Sequence, residues 1–206
     1  MKRTRYQGTN WQSIGAWATR VLRVDFSVFD EVRPEPSATI GAVAVVLGAS
    51  VIAGFGSWLW AAQNDFVDSN KVLVESLVLG SVFQTAVWFL WVYLVYQVLV
   101  RGYASRVEFG ELVRTMGFAF APVSLSILVA VTSLAVPFGV VALSMAVLFT
   151  NVAIQQAAEV DAREAALANL TGFGAFVIAM GVLANVWEVD SLGGLAPGVL
   201  FFALDF

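Results

Sequence analysis

Five long apolar stretches dominate the pattern of hydrophobic and polar positions along the chain. Each is close to the roughly 20 residues that a helix needs to cross a bilayer, and short polar or turn-forming stretches separate them. The pattern therefore predicts an all-α, polytopic membrane protein, a bundle of five transmembrane helices. The predicted spans are 37–61, 71–100, 115–136, 138–158 and 165–187, with Pro137 at the turn between the third and the fourth.

A charged segment precedes the first span and has a different pattern. Residues 1–9 indicate a basic tail, and from Asn10 to Val32 apolar residues recur at helical spacing beside arginines. We expect an amphipathic helix that lies in the membrane interface or packs under the bundle. Pro34 and Pro36 then break the chain before it enters the bilayer.

Three units follow from these patterns. Residues 1–36 form a cytoplasmic tail with an amphipathic helix, and residues 37–190 form the transmembrane domain. Residues 191–206 are apolar but too short and too rich in glycine and proline to span, so we expect a tail on the far side of the membrane.

Composition narrows the classes of function. The chain is 59% hydrophobic and 13% charged, whereas about a quarter of a soluble domain is charged. It has neither cysteine nor histidine, which excludes thiolate and histidine metal sites, cysteine nucleophiles and Ser-His triads. We therefore predict a protein that is not an enzyme and uses no cofactor and no metal.

The charge balance bears on the source and the orientation. The net charge is −4 and the only lysines are Lys2 and Lys71, which suits a halophilic microbe or a genome that prefers arginine codons. Ten of the eleven basic residues fall on the side of the N-terminus. The positive-inside rule then predicts a multi-pass protein of the cell membrane with its N-terminus in the cytoplasm and its C-terminus outside.

The N-terminal segment contains a candidate surface for the lipid bilayer. Trp11 and Trp17 are followed there by Arg20 and Arg23. Tryptophan and arginine together suit anionic lipid head groups. A helix that docks on the spans is the alternative interpretation.

The third span contains the most distinctive local motif. Gly117 and Ala121 are spaced for close helix approach, and Pro122 frees a backbone carbonyl one turn earlier. A kink there opens a pocket or serves packing alone.

Glu75 is the ionisable residue that lies clearly inside a predicted span. A carboxylate at such a position often marks an ion or proton path. It lies one turn after Lys71, and an ion pair between the two near the outer surface is the simpler explanation.

The chain resembles the Yip family, the Ypt/Rab-GTPase-interacting membrane proteins with five spans. A segment of the form Val28-Phe29-Asp30-Glu31-Val32 precedes the prolines and the spans. The run from Gly117 to Pro122 is similar to the family's Gly-Tyr-x-x-x-Pro at the start of its third span, with Phe118 in place of the tyrosine. The acidic, tyrosine-containing motif of the eukaryotic members is absent. The resemblance covers residues 20–187 and implies membrane organisation, vesicle trafficking or partner recruitment.

Two functions from different classes remain in view. The first is a Yip-like membrane organiser or adaptor that shapes the bilayer or holds an unidentified membrane or cytoplasmic protein. It binds no nucleic acid, and a homo-oligomer is compatible with it. The second is a small-solute or ion transporter or channel subunit, carried by Glu75 and by polar residues of the third and fourth spans.

Overall fold

A computed structural model describes residues 11–64 and 68–187 of the protein. Over these residues the chain folds into helices and forms no strand. Five of the helices are long and apolar enough to cross a membrane, as predicted. The predicted tails, 1–9 and 191–206, lie outside the described residues. We number the spans in chain order: Ala38–Ala61, Ser69–Gly102, Phe109–Ala130, Thr132–Ala158 and Ala162–Val186.

Two short helices, α1 (Trp11–Leu22) and α2 (Val28–Val32), precede the first span. The sequence predicted a single helix over this segment. The chain instead turns at Val24, whose φ is 64°, and the Asp25 carboxylate accepts hydrogen bonds from the backbone and the hydroxyl of Ser27 at 3.2 and 2.6 Å. An aspartate that bonds to the residue two positions on stabilises a turn, so the segment folds as two helices.

The spans are not all regular α-helices. The second and third spans change from α-helical to π-helical or 3-10 geometry over several residues, which is uncommon, and the fourth span begins with a short 3-10 turn. The elements are α3 (Ala38–Ala61); α4 (Ser69–Val72), a π segment (Leu73–Leu79), α5 (Gly80–Gln97) and a π segment (Val98–Gly102); α6 (Phe109–Ala119) and a 3-10 segment (Ala121–Ala130); a 3-10 turn (Thr132–Leu134) and α7 (Ala135–Ala158); and α8 (Ala162–Val186).

The third span begins at Phe109, earlier than the predicted 115–136. Glu108 and Glu111 form a capping box, in which the backbone N–H of Glu108 donates to the Glu111 carboxylate at 3.0 Å. This pair satisfies backbone donors that the first helical turn leaves free. The helix therefore starts within the charged segment that the hydropathy pattern assigned to the loop.

The turn between the third and fourth spans falls at Val131, whose backbone is extended. The prediction that Pro137 marks this turn is wrong, because Pro137 lies in the first turn of α7. A proline is well tolerated there, since the first residues of a helix have no carbonyl partner for the missing N–H.

The third span lies at the centre of the bundle. In its most apolar stretch 78% of the residues are buried, against 33–44% in the other spans. It packs between the first and fourth spans, and the fifth span packs on the second and fourth. A Cβ added to Gly56 would lie 2.6 Å from the Ser126 carbonyl oxygen. The backbones of the first and third spans are therefore in direct contact, as small residues allow in membranes.

Candidate functional site

The two N-terminal helices dock across one end of the bundle. We call residues 11–36 the N-terminal cap and the end that they cover the capped end. The fully buried apolar side chains of the cap are Val21, Val28, Phe29 and Val32. They share a core with Ala38, Ala42, Phe118, Ala119, Phe149 and Ala153 of the first, third and fourth spans. Because burial of each large side chain contributes about 1.5–3 kcal/mol, the cap is fixed to the spans by an apolar core of its own.

Aromatic contacts also connect the cap to the third and fourth spans. The Trp17 ring meets Phe118 of the third span edge-on, with 5.7 Å between the ring centroids. Phe26 meets Phe149 of the fourth span in the same way, at 4.9 Å. The Trp17 indole N–H donates to the Glu31 carboxylate at 3.1 Å. Trp17, predicted to contact the membrane surface, is therefore engaged within the protein.

Arg20 ties α1 to the following turn and to α2. Its guanidinium donates to Asp25 at 2.7 Å, to Glu31 at 2.9 Å and to the Ser27 hydroxyl at 2.9 Å. Hydrogen bonds from Ser27, and then from Arg20, hold the pKa of the Asp25 carboxyl below its ordinary value. These side chains are 33–48% exposed, so each ion pair contributes little alone. Together they fix the shape of the cap.

The other two residues predicted at the membrane surface, Trp11 and Arg23, are exposed. Trp11 is 64% exposed, and Leu22 and Val24 are 39% and 56% exposed. Leu22 follows Trp11 by three helical turns, which places both on one face of α1. We call Trp11, Leu22, Arg23 and Val24 the outer face of the cap. Within the described part of the chain Arg23 makes no ion pair.

Arg33 joins the cap to two spans at once. Its Nε donates to Glu111 of the third span at 3.2 Å. Its Nη1 donates to the Glu159 carboxylate at 2.8 Å and to the Gln156 backbone carbonyl at 2.9 Å, both at the end of the fourth span. Glu159 has a φ of 53° and ends α7 in the left-handed conformation. Arg33 thus connects the cap to the start of the third span and to the end of the fourth span.

Arg114 of the third span binds the backbone of the cap at the same junction. Only 8% of Arg114 is exposed. Its Nε and Nη2 donate to the Arg33 backbone carbonyl at 2.8 and 2.6 Å, and its Nη1 contacts the Thr39 hydroxyl at 3.4 Å. The Arg33 carbonyl directly precedes Pro34, where no helix continues. A buried fork of donors therefore satisfies a carbonyl that the proline break leaves open.

The sequence did not single out Arg33 or Arg114, which counted only toward the charge on one side of the membrane. One signal was available for Arg114. It follows Leu112 and Val113 in a helix that the Glu108 and Glu111 capping pattern would have started earlier. An arginine on the second turn of such a helix is on a span and needs an internal partner.

The Gly117–Pro122 motif lies beside the cap and serves close packing. A Cβ on Gly117 would lie 2.7 Å from the Ala42 Cβ and 3.0 Å from the Ala42 carbonyl oxygen. Ala121 is 4% exposed. The α-helix ends just before Pro122, and the chain continues as a 3-10 helix. The change from α-helical to 3-10 geometry therefore falls at the proline for which the sequence predicts a kink.

Glu75 lies far from the cap, near the opposite end of the bundle. It is half-buried in the π segment of the second span, one turn after Lys71. The backbone of the next residue, Ser76, is in close contact with Gly54 of the first span. The structure thus does not bring Glu75 together with the other predicted site residues.

A polar cluster that the sequence did not predict lies within the spans. The Asn169 carbonyl oxygen accepts from the Trp91 indole N–H at 3.1 Å and from the Thr150 hydroxyl at 3.2 Å. The Asn169 amide donates to the Val147 carbonyl at 2.8 Å. Asn169 is 1% exposed, and it links the second, fourth and fifth spans.

In comparisons with protein-family models, with curated proteins and with solved structures, nothing matches this chain. The fold defines its class as a polytopic helical bundle with five helices able to span a membrane. The resemblance to the Yip family rests on the topology and on the residues quoted for it.

Proposed function

We propose that the protein is a non-enzymatic membrane organiser or adaptor, Yip-like in its topology, which acts through the outer face of its N-terminal cap. One observation carries the proposal. The cap is immobilised by a buried core and by Arg33 and Arg114, while Trp11, Leu22 and Val24 stay exposed. A protein that folds a segment this firmly and leaves large apolar side chains outside presents a surface for another molecule.

The capped end faces the cytoplasm in this proposal. Every arginine of the described residues belongs to the cap, to the loop between the second and third spans or to the turns at the capped ends of the second, third and fifth spans, whereas Lys71 lies at the opposite end. Cytoplasmic ends of membrane proteins carry an excess of basic residues. The capped end is then also next to the anionic lipids of the inner leaflet.

The chemistry of the outer face suits the head-group region of a bilayer. An exposed tryptophan, two aliphatic side chains and an arginine combine apolar insertion with attraction to phosphate. The same set can instead bury itself against a protein, since tryptophan and arginine are enriched at interface centres. A lipid surface and a protein partner both fit an organiser or adaptor. A crosslinker on the outer face would capture lipid in the first case and protein in the second.

A photo-crosslinking side chain at Trp11, activated in native membranes, tests the proposal. Mass spectrometry of the products should find lipid adducts or one recurrent protein. The same side chain at Phe29, which is fully buried in the cap, is the matched control and should give neither. If Trp11 and Phe29 yield equally few external products, the outer face contacts nothing and the proposal fails.

A transporter or channel subunit is the second candidate, because polar groups lie inside the spans. Glu75 sits in a π-helical segment, a geometry often found at functional sites, and Gln84 and Trp88 are buried in the same span. Ion and solute flux into liposomes that contain the purified protein tests this function. Glu75→Gln should abolish such flux, whereas it should leave the crosslinks from Trp11 unchanged.

A further inference from the structure

Two polar side chains share one buried face of α5. Gln84 and Trp88 are both 0% exposed and are four residues apart, which places one above the other on the helix. Within residues 11–64 and 68–187, no group hydrogen-bonds to the Gln84 Oε1, the Gln84 Nε2 or the Trp88 Nε1. Three polar atoms of one helix face thus lie in the bundle interior without a protein partner.

The next tryptophan on this face, Trp91, has a hydrogen-bond partner within the protein. Trp91 is 1% exposed, and its indole N–H donates to Asn169 at 3.1 Å. Asn169 in turn bonds to Thr150 and to the Val147 carbonyl. The bundle therefore supplies protein partners to a buried indole where the sequence provides them, one turn away from Trp88. Buried polar groups in a membrane interior are normally satisfied, so Gln84 and Trp88 point to a partner that is not protein.

The surroundings limit what that partner is. Trp88 shares its core with Ala49 and Ala53 of the first span, whose side chains carry no polar atom. The Ser81 hydroxyl, one turn before Gln84, already donates to the Leu77 carbonyl at 2.5 Å. Neither Gln84 nor Trp88 carries a charge, so an ion gains little here. The amide offers one acceptor and two donors, and the indole offers one donor.

We propose that Gln84 and Trp88 form an internal water-binding site in the second span. Water is the smallest neutral molecule that both donates and accepts, and two to four polar partners are what a buried water needs. This inference does not depend on the proposed function, because an organiser and a transporter both accommodate a structural water.

X-ray hydroxyl-radical footprinting of the protein in lipid nanodiscs tests the site. Radiolysis of a bound water releases the radical beside the residues that hold it, so a buried residue next to water is oxidised despite its burial. Trp88 should be oxidised several-fold faster than Trp91, its internal control with equal burial and a protein partner. Equal, slow oxidation of Trp88 and Trp91 would overturn the proposal.

Two variants separate water from a general opening of the bundle. Gln84→Met keeps the length of the side chain and removes its polar atoms, so Trp88 oxidation should fall toward that of Trp91. Ser81→Ala changes a neighbouring buried polar residue that already has its partner, so Trp88 oxidation should stay high. If Trp88 stays fast in Gln84→Met, Gln84 does not hold the water. If Trp91 is oxidised as fast as Trp88 in the wild type, the labelling reports a general opening of the bundle, and the water site is rejected.

Discussion

The guanidinium of Arg114 donates two hydrogen bonds, at 2.8 and 2.6 Å, to the backbone carbonyl of Arg33. Arg33 uses its own guanidinium to bind Glu111 and Glu159. The two arginines therefore act in series: the buried Arg114 fixes the backbone of the half-buried Arg33, and Arg33 fixes two spans. This arrangement makes the position of the cap depend on a few bonds that variants can break singly.

Arg114→Met should loosen the cap. The change removes both bonds to the Arg33 carbonyl, and hydrogen bonds to a charged donor contribute about 1.5–3 kcal/mol. Because the chain has no cysteine, a spin label at Thr19→Cys, an exposed position of α1, reports the mobility of the cap by electron paramagnetic resonance. The label should become more mobile in Arg114→Met, and less so in Arg114→Lys, which keeps the charge without the planar fork.

Arg101→Met is the matched control for that experiment. Arg101 is exposed and makes no ion pair within the described ranges. The control removes the same side chain from the same end of the bundle, so label mobility should not change. An equal change in Arg101→Met and Arg114→Met would mean that total charge, rather than the fork, holds the cap.

The two carboxylates that Arg33 binds should contribute differently to the stability of the protein. Glu111 is 19% exposed and Glu159 is 75% exposed. Glu111→Gln should lower thermal stability by about 1 kcal/mol or more, because a half-buried guanidinium loses its less hydrated partner. Glu159→Gln should change stability by less than about 0.5 kcal/mol. Glutamine at 111 can still complete the capping box. The comparison of Glu111→Gln with Glu159→Gln therefore measures the loss of a charge and not the loss of the helix cap.

Thermal unfolding of the purified variants in one detergent measures both changes. A larger loss in Glu159→Gln than in Glu111→Gln would contradict the reasoning from exposure.

The outline of this fold is visible in the sequence, and the cap junction is not. Span length and hydropathy predict five spans because each helix must match the bilayer thickness. The capping box at Glu108 moved the start of the third span, since a local hydrogen-bond pattern overrides mean hydropathy. The bonds of Arg33 join residues 78 and 126 positions apart. No local pattern in a single sequence encodes such a pairing.

The interior polar sites follow the same division. Glu75 stood out because a carboxylate in an apolar run is conspicuous. Asn169 and Gln84 did not, since amides are common at helix interfaces and only packing decides which of them is buried. Whether such an amide has a protein partner depends on neighbours from other spans, such as Trp91 and Thr150 for Asn169.

The cap should loosen in acid. Hydrogen bonds from Ser27 and Arg20 lower the pKa of Asp25, and hydrogen bonds from the Ser37 hydroxyl and then its backbone N–H lower the pKa of Glu35. A lowered pKa in the folded state means that the carboxylate stabilises the fold above the ordinary pKa near about 4. That contribution is lost as pH falls through the lowered pKa. The spin label at Thr19→Cys should therefore become more mobile below about pH 4.

Asp25→Asn checks the assignment of this transition. The amide cannot ionise, so the label in Asp25→Asn should already be more mobile at neutral pH and should respond less to acid. An unchanged acid response in this variant would show that Asp25 has no part in the transition.

Gly117→Ala should destabilise the bundle through the contact of the first and third spans. The new Cβ would lie 2.7 Å from the Ala42 Cβ and 3.0 Å from the Ala42 carbonyl oxygen. A backbone atom on that side cannot rotate away, so the spans must separate, and overpacking of this kind lowers stability by about 1–3 kcal/mol. Ala42→Gly in the same chain should restore only part of the loss, because the carbonyl contact remains.

Gly174→Ala gives the opposite expectation at a matched position. Gly174 also lies inside a span, in α8, but a Cβ there meets nothing within 4 Å. Alanine favours a helix over glycine by up to about 1 kcal/mol, so Gly174→Ala should leave thermal stability unchanged or raise it. The sign of the difference between the two variants is the decisive quantity. If both variants destabilise equally, helix interiors here resist any added methyl group, and the contact between Gly117 and Ala42 has no special role.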